Sequence, residues 1–246
     1  MMKNSVKVTL ENLYLRNKKK VSEISIVDIL NKLITDNPEA LDLNSAETVN
    51  LHDEEEIENF QLAINNKKLA EKFNYAKELD FDESQIINGL KQDLINSFSV
   101  AKEKLIGNES QEKNQIIFLE HNYQPYAYLC GYGEGDYPIL KNPEYLNGFH
   151  QNEFYNGVGN IDYSPIWKSL INLIALLEEL EIDDAVREDE LFLALEKMTL
   201  YKTYLLINRA LEELGENLFS NMHIKKPLFI FGNEHDCEPI NIYVLE

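Results

Sequence analysis

The stretch Gln115 to Asp136 reads QIIFLEHNYQPYAYLCGYGEGD and restricts the possible folds more than any other part of the chain. Ile116, Ile117, Phe118 and Leu119 form one strand-length apolar run, and Tyr126, Ala127, Tyr128, Leu129 and Cys130 form a second. Between them stand Asn122, Tyr123, Gln124 and Pro125, a polar turn that forbids one continuous helix. The pattern predicts an antiparallel hairpin with a glycine-rich exit. Helical patterns flank it, and a second pair of apolar runs closes the chain, so the hairpin is expected to nucleate an α+β core.

The helices are read from spacing and caps. Asp82 precedes the stripe Ile86, Leu90, Leu94, Phe98, Ala101 and Leu105, which predicts a helix over 83–106. Ser164 as N-cap with Pro165 at the first helical position opens another over 164–181. A third runs from about Arg187 to Leu214 and stops at Gly215; its two apolar rows imply burial against two layers. These helices should cover a mainly antiparallel sheet of about four or five strands, formed by 115–120, 125–131, 227–232 and 240–245. Nearer the start, 5–15 alternates like a short strand or extended arm, and Ile26 to Leu33 is a short amphipathic helix. Residues 38–53 read as a connection, and one helix is expected from about Glu55 to Leu79. The run Asp53 to Glu56 belongs at its N-terminus, where negative charge meets the positive end of the helix dipole. Residues 1–79 would then be a helical N-terminal region and 80–246 the α+β domain, with a single domain as the alternative.

The chain carries 23 Lys and Arg against 43 Asp and Glu, a formal net charge of −20. That balance opposes unaided binding to nucleic acid or to anionic membrane surfaces; it makes any partner a basic protein, and it equally suits a surface that only keeps the chain in solution. With two cysteines, Cys130 and Cys237, neither a disulfide framework nor a thiolate zinc site is implied. No run approaches the ~20 apolar residues of a membrane span, and the cytoplasm is the expected compartment.

Gly131-Tyr132-Gly133-Glu134-Gly135 follows a predicted strand, yet Asp136-Tyr137-Pro138 comes next and no helix start is there to hold a phosphate. The residues from Gly131 to Tyr163 read as a long loop, rich in glycine, tyrosine and asparagine. That composition suits an interface, and it equally suits a cap over the end of the core. The candidate contacts there are Tyr132, Tyr137, Tyr145 and Tyr155, with Glu134 and Asp136 supplying charge. The densest chemistry lies at two strand ends, Glu120-His121 and Glu234-His235-Asp236-Cys237-Glu238. If these ends met, His121, Glu120, His235, Asp236 and Glu238 could serve acid–base chemistry, or His121, His235 and Cys237 could hold a metal. Adjacent strand residues point to opposite faces, so structural or surface roles are the simpler reading. No cofactor is expected.

The order of helix, strand pair with YAYLCGYGEGDYP, aromatic loop, SPIW helix opening, long helix and terminal strand pair resembles small acidic bacterial α+β proteins. Among these are the immunity proteins of polymorphic toxin systems. The resemblance covers roughly 83–246. It implies a protein without enzymatic activity that binds one cognate toxin, and it transfers no site residues.

Overall fold

A computed structural model describes residues 2–36, 39–41, 48–50, 52–105, 113–121, 125–137, 140, 153–234 and 239–246. In order, its elements are α1 (Met2–Ser22), α2 (Ile26–Thr35), β1 (Glu39–Leu41), β2 (Thr48–Asn50), α3 (Glu54–Ile64), α4 (Lys67–Glu78) and α5 (Glu83–Leu105). There follow β3 (Asn114–His121), β4 (Tyr126–Tyr132), β5 (Glu153–Asp162), α6 (Ser164–Glu179), α7 (Asp183–Glu188) and α8 (Glu190–Leu214). A 3-10 turn (Gly215–Phe219), β6 (Ile224–Glu234) and β7 (Ile240–Leu245) close the chain. The fold is α+β, as its hairpin and helix patterns require. The chain divides into two compact units: residues 1–12, 81–166 and 201–246 form the first, and 13–80 with 167–200 form the second.

The first unit is built on a five-stranded sheet in the order β5-β4-β3-β6-β7. Strand β3 pairs antiparallel with β4 and parallel with β6, so the sheet is mixed, while β4–β5 and β6–β7 are antiparallel. The centre falls to β3 because IIFL is apolar at every second and every intervening position; Ile116 through Leu119 are all buried. A strand buried on both faces needs such a run. One face carries Ile117, Leu119, Leu129 and Ile230 and is covered by helices. Helix α5 packs on β5, and an aromatic chain links Phe98 to Phe219 edge-on and Phe219 to Tyr243 by stacking. Asn208 of α8 donates its side-chain N–H to the Ile242 carbonyl at 2.7 Å. The other face holds Ile116, Phe118, Cys130, Tyr132 and Phe231, joined by Tyr137. There the Phe118 and Phe231 rings stack at 5.6 Å, and Tyr132 meets Phe118 edge-on at 5.7 Å.

The second unit is helical with one small antiparallel pair, β1–β2. Helix α2 contacts α3, α4 and α7. Its start is a capping box in which the Ser25 hydroxyl accepts from Asp28 N–H and the Asp28 carboxylate accepts from Ser25 N–H. Asp53 and Glu56 form the same device on α3, which explains the acidic run. Phe60 and Phe73 are fully buried, each contributing roughly 2–3 kcal/mol of transfer free energy.

Five sequence readings change. Residues 2–22 are helical where a strand or arm was expected over 5–15, because the stripe Leu10, Asn17 and Val21 is buried at helical spacing while Val8 is 53% exposed. The expected helix over 55–79 breaks at Asn65-Asn66, where the Asn66 side chain accepts from Leu69 N–H and starts α4. Residues expected only to connect contain β1 and β2, and the expected loop 131–163 contains β5. At α6 the side-chain cap is Asp162, which accepts from Ser164 N–H at 2.8 Å, so Ser164 is already inside the helix.

Candidate functional site

Strand β3 ends in Glu120-His121, and the alternation of the strand sends these two side chains to opposite faces. His121 enters the helix-covered face. It is 5% exposed, and its Nε2 lies 3.0 Å from the hydroxyl of Tyr204 on α8. Tyr163 packs edge-on against the imidazole at 6.1 Å. The Tyr204 ring in turn fills the space where residue 232 would carry a β-carbon, so only glycine fits at Gly232. Burial pushes the imidazole down to about 4 against the opposing pull of the Glu120 carboxylate. His121 is therefore a buried histidine, neutral near neutral pH and held by a tyrosine.

Glu120 takes the other face, directly opposite Tyr128 of β4. Its Oε2 lies 3.3 Å from the Cys130 sulfur, and Asn156 Oδ1 of β5 lies at the same distance on the other side; either can accept the thiol proton. The Asn156 amide also donates to Glu153 Oε2 at 3.1 Å. Burial pushes the Cys130 thiol up to about 12, and the Glu120 and Glu153 carboxylates add to that, overcoming the Gly157 N–H that donates to the sulfur. A thiol so held is protonated and unreactive. Next along β4 on the same face, the half-buried Tyr126 and Tyr128 rings meet edge-on at 5.4 Å. Their hydrogen bond raises the Tyr128 phenol above its ordinary range.

Of the proposed contact residues, Tyr132, Tyr137 and Tyr155 are buried, so the partners they find lie in the core. The Tyr137 hydroxyl donates to the Gly133 carbonyl at 2.6 Å, and Gly135 N–H donates to the Gln115 side chain, which fixes the glycine-rich exit. The Tyr155 ring covers Gly131, and its hydroxyl has no hydrogen-bond partner among the described residues. Glu134 and Asp136 are exposed, Glu134 with Lys225 at 3.5 Å. The parallel β3–β6 register brings the two strand ends side by side, His121 against Glu234, while Tyr145, His235, Asp236, Cys237 and Glu238 lie outside the described residues. Among the described residues no group of three or more His, Cys, Asp and Glu side chains is placed to hold a metal ion. A groove of about 400 Å³ between the start of α1 and the β6–β7 pair, walled by Val6, Phe229, Pro239, Ile240 and Val244, is mostly apolar.

Charge is also concentrated in the second unit at the end of α6, through α7 and into α8. Glu178, Glu179, Glu181, Asp183, Asp184, Glu188, Asp189 and Glu190 fall there with Arg187 as the one cation. Asp189 is buried and structural: it accepts from Lys32 Nζ at 2.7 Å and caps α8 through Leu191 N–H at 2.8 Å. Arg187 is engaged by Glu196 at 3.2 Å, and Lys68 approaches Glu179 at 3.8 Å. Glu178, Glu181, Asp184 and Glu188 are exposed and meet no cation among the described residues. In the sequence this segment reads as an acidic turn; its density was the signal for a surface.

The described residues define a helix-covered, five-stranded mixed sheet of the α+β class, and no helix among them is long and apolar enough to cross a membrane. The chain matches no protein-family model, and comparison with curated proteins and with solved structures gives no match either.

Proposed function

We propose that the chain is a non-enzymatic binding protein that captures a basic protein partner, in the manner of an immunity or inhibitor protein. The observation that carries this reading is the exposed carboxylate surface of Glu178, Glu181, Asp184 and Glu188, displayed along the end of α6 and through α7, next to the Asp189 cap of α8. Like charges at such density repel one another, and a partner with complementary charge relieves that repulsion. It would also be steered into encounter at rates raised by about 10- to 10³-fold at low salt. The acid–base alternative needs a histidine that reaches solvent and titrates near neutrality. His121 is buried and titrates near 4.

The test is capture from extracts of the native host at low and high salt, with a variant carrying Glu178→Gln, Glu181→Gln, Asp184→Asn and Glu188→Gln in parallel. A basic protein recovered at low salt, and recovered less well at high salt and by the variant, supports the reading. Recovery of no basic protein, or equal recovery by the variant, removes it.

A further inference from the structure

We infer that the exposed basic face at the end of α1 docks on the acidic α6–α7 surface of a second copy of this chain. This goes beyond capture of a foreign protein, because here the cations come from the chain itself. Arg16, Lys18, Lys19 and Lys20 put four cations into five residues of a chain whose net charge is −20. All four are exposed, and Leu15 beside them is 57% exposed. None of the four forms an ion pair among the described residues; Lys18 reaches the Tyr14 ring of its own helix at 5.7 Å. Lys19 and Lys20 stand in the last turn, where the helix dipole favours positive charge. Arg16 has no such support, and it faces Lys20 at the i, i+4 spacing at which like charges destabilise a helix. Asp184 and Glu188 repeat the conflict on α7 with the opposite sign.

Two complementary surfaces therefore stand unpaired on one chain, and both belong to its second compact unit. Exposed Glu178, Glu181, Asp184 and Glu188 meet no cation, and the α1 cations meet no carboxylate, among the described residues. Docking between copies relieves both repulsions at once, and a reciprocal arrangement uses each surface once and closes a two-fold dimer. Leu15 lies one turn from Lys18 and Lys19, which gives the contact an apolar side chain inside a charged rim. A nucleic acid or an anionic membrane would also offer phosphates to this helix, but it would repel the acidic remainder of the chain with nothing to offset the cost. A second copy brings cations to the acidic surface as well.

The experiment is sedimentation velocity on the purified full chain at about 0.1 M and about 1 M salt, between which the screening length falls from about 10 Å to about 3 Å. At the lower salt, net repulsion between acidic copies is damped across the molecule while pairs in contact still attract. A dimer there that dissociates at the higher salt supports the site. Two charge-reversed variants locate it: Lys18→Glu with Lys19→Glu and Lys20→Glu, and separately Glu178→Lys with Glu181→Lys, Asp184→Lys and Glu188→Lys. Each should weaken self-association by about tenfold or more, and an equimolar mixture of the two should restore it, because each reversed surface meets its complement on the other chain. Both variants remain net acidic, so general attraction does not account for that recovery. Should the reversed lysines unfold α1, Arg16→Gln with Lys18→Gln leaves its last turn intact and should still weaken the dimer by about threefold or more. A parent chain that is monomeric at the lower salt, a reversed variant that associates within about twofold of the parent, or a mixture that stays monomeric overturns the site. Capture of a host protein by the 178–188 surface is read separately, in extracts, so either result can fail alone.

Discussion

The Ser97 hydroxyl holds β5 to α5 by two hydrogen bonds to one residue: it accepts from Asn160 N–H at 3.0 Å and donates to the Asn160 carbonyl at 3.3 Å. The neighbouring Gly159 has φ +76, and a β-carbon there would run into the Ser97 side chain. Two penalties therefore await Gly159→Ala, a backbone strain of about 1–3 kcal/mol and an overpacking term of similar size. Denaturant unfolding should show a loss of about 2–4 kcal/mol. In a Ser97→Gly background the steric share should shrink, the Ser97 Cα still lying 2.7 Å from the added β-carbon, and the φ share remain. An unchanged loss there would place the whole cost in the backbone.

His121 makes stability depend on acid. Its folded value is depressed to about 4 while the unfolded chain keeps the ordinary histidine value near 6.5, so between these limits the unfolded state binds the extra proton. The contribution is intact above about pH 6.5 and is lost as pH falls toward 4, reaching on the order of 3 kcal/mol. Comparing melting temperatures from pH 7 to 4 for the parent and for His121→Gln isolates it. The variant is less stable at pH 7, and the two curves converge on acidification. Parallel curves would show that His121 does not titrate this way.

Asp189 and the acidic residues around it should separate cleanly. Asp189→Ala removes the cap of α8 and the Lys32 partner, costing about 1–3 kcal/mol by thermal or denaturant unfolding. Neutralising Glu178, Glu181, Asp184 and Glu188 should leave stability within about 0.5 kcal/mol per site, or raise it by relieving repulsion. Large losses there would mark the surface as structural.

Cys130 should resist labelling. In a Cys237→Ala background, a thiol reagent at pH 8 should react only as fast as the chain opens, since Cys130 is 1% exposed and its thiol titrates near 12. Rapid native labelling would contradict that burial.

The β3–β4 hairpin, α5, α8 and the terminal strands were legible because their apolar period is uninterrupted. The misread elements share a cause in single residues. Asn17 occupies a buried position of α1 and breaks its apolar stripe. It manages this because its side-chain N–H donates to the Leu13 carbonyl one turn back. Strand β5 carries Gly157 and Gly159 at positive φ, so its sequence reads as loop although it pairs with β4. At the site, Glu120 and His121 were visible as chemistry, but their separation onto two faces and the closure of Tyr204 over Gly232 depend on helix positions that no local pattern encodes. Tyr126 and Tyr128 were read only as strand formers, since their half-burial beside Cys130 is a property of the finished sheet.

The parallel pairing of β3 with β6 also sets an order of events. The central strand is made early in the chain but finds its second neighbour only after α6, α7 and α8 have intervened. Loop closure over such a separation is entropically slow, so a nascent chain carries the β3–β4 hairpin with one edge open until its last strands emerge. During that interval the Phe118 row is exposed to other chains. Expression yield should therefore respond to temperature and chaperone supply more steeply than the stability of the finished protein would suggest.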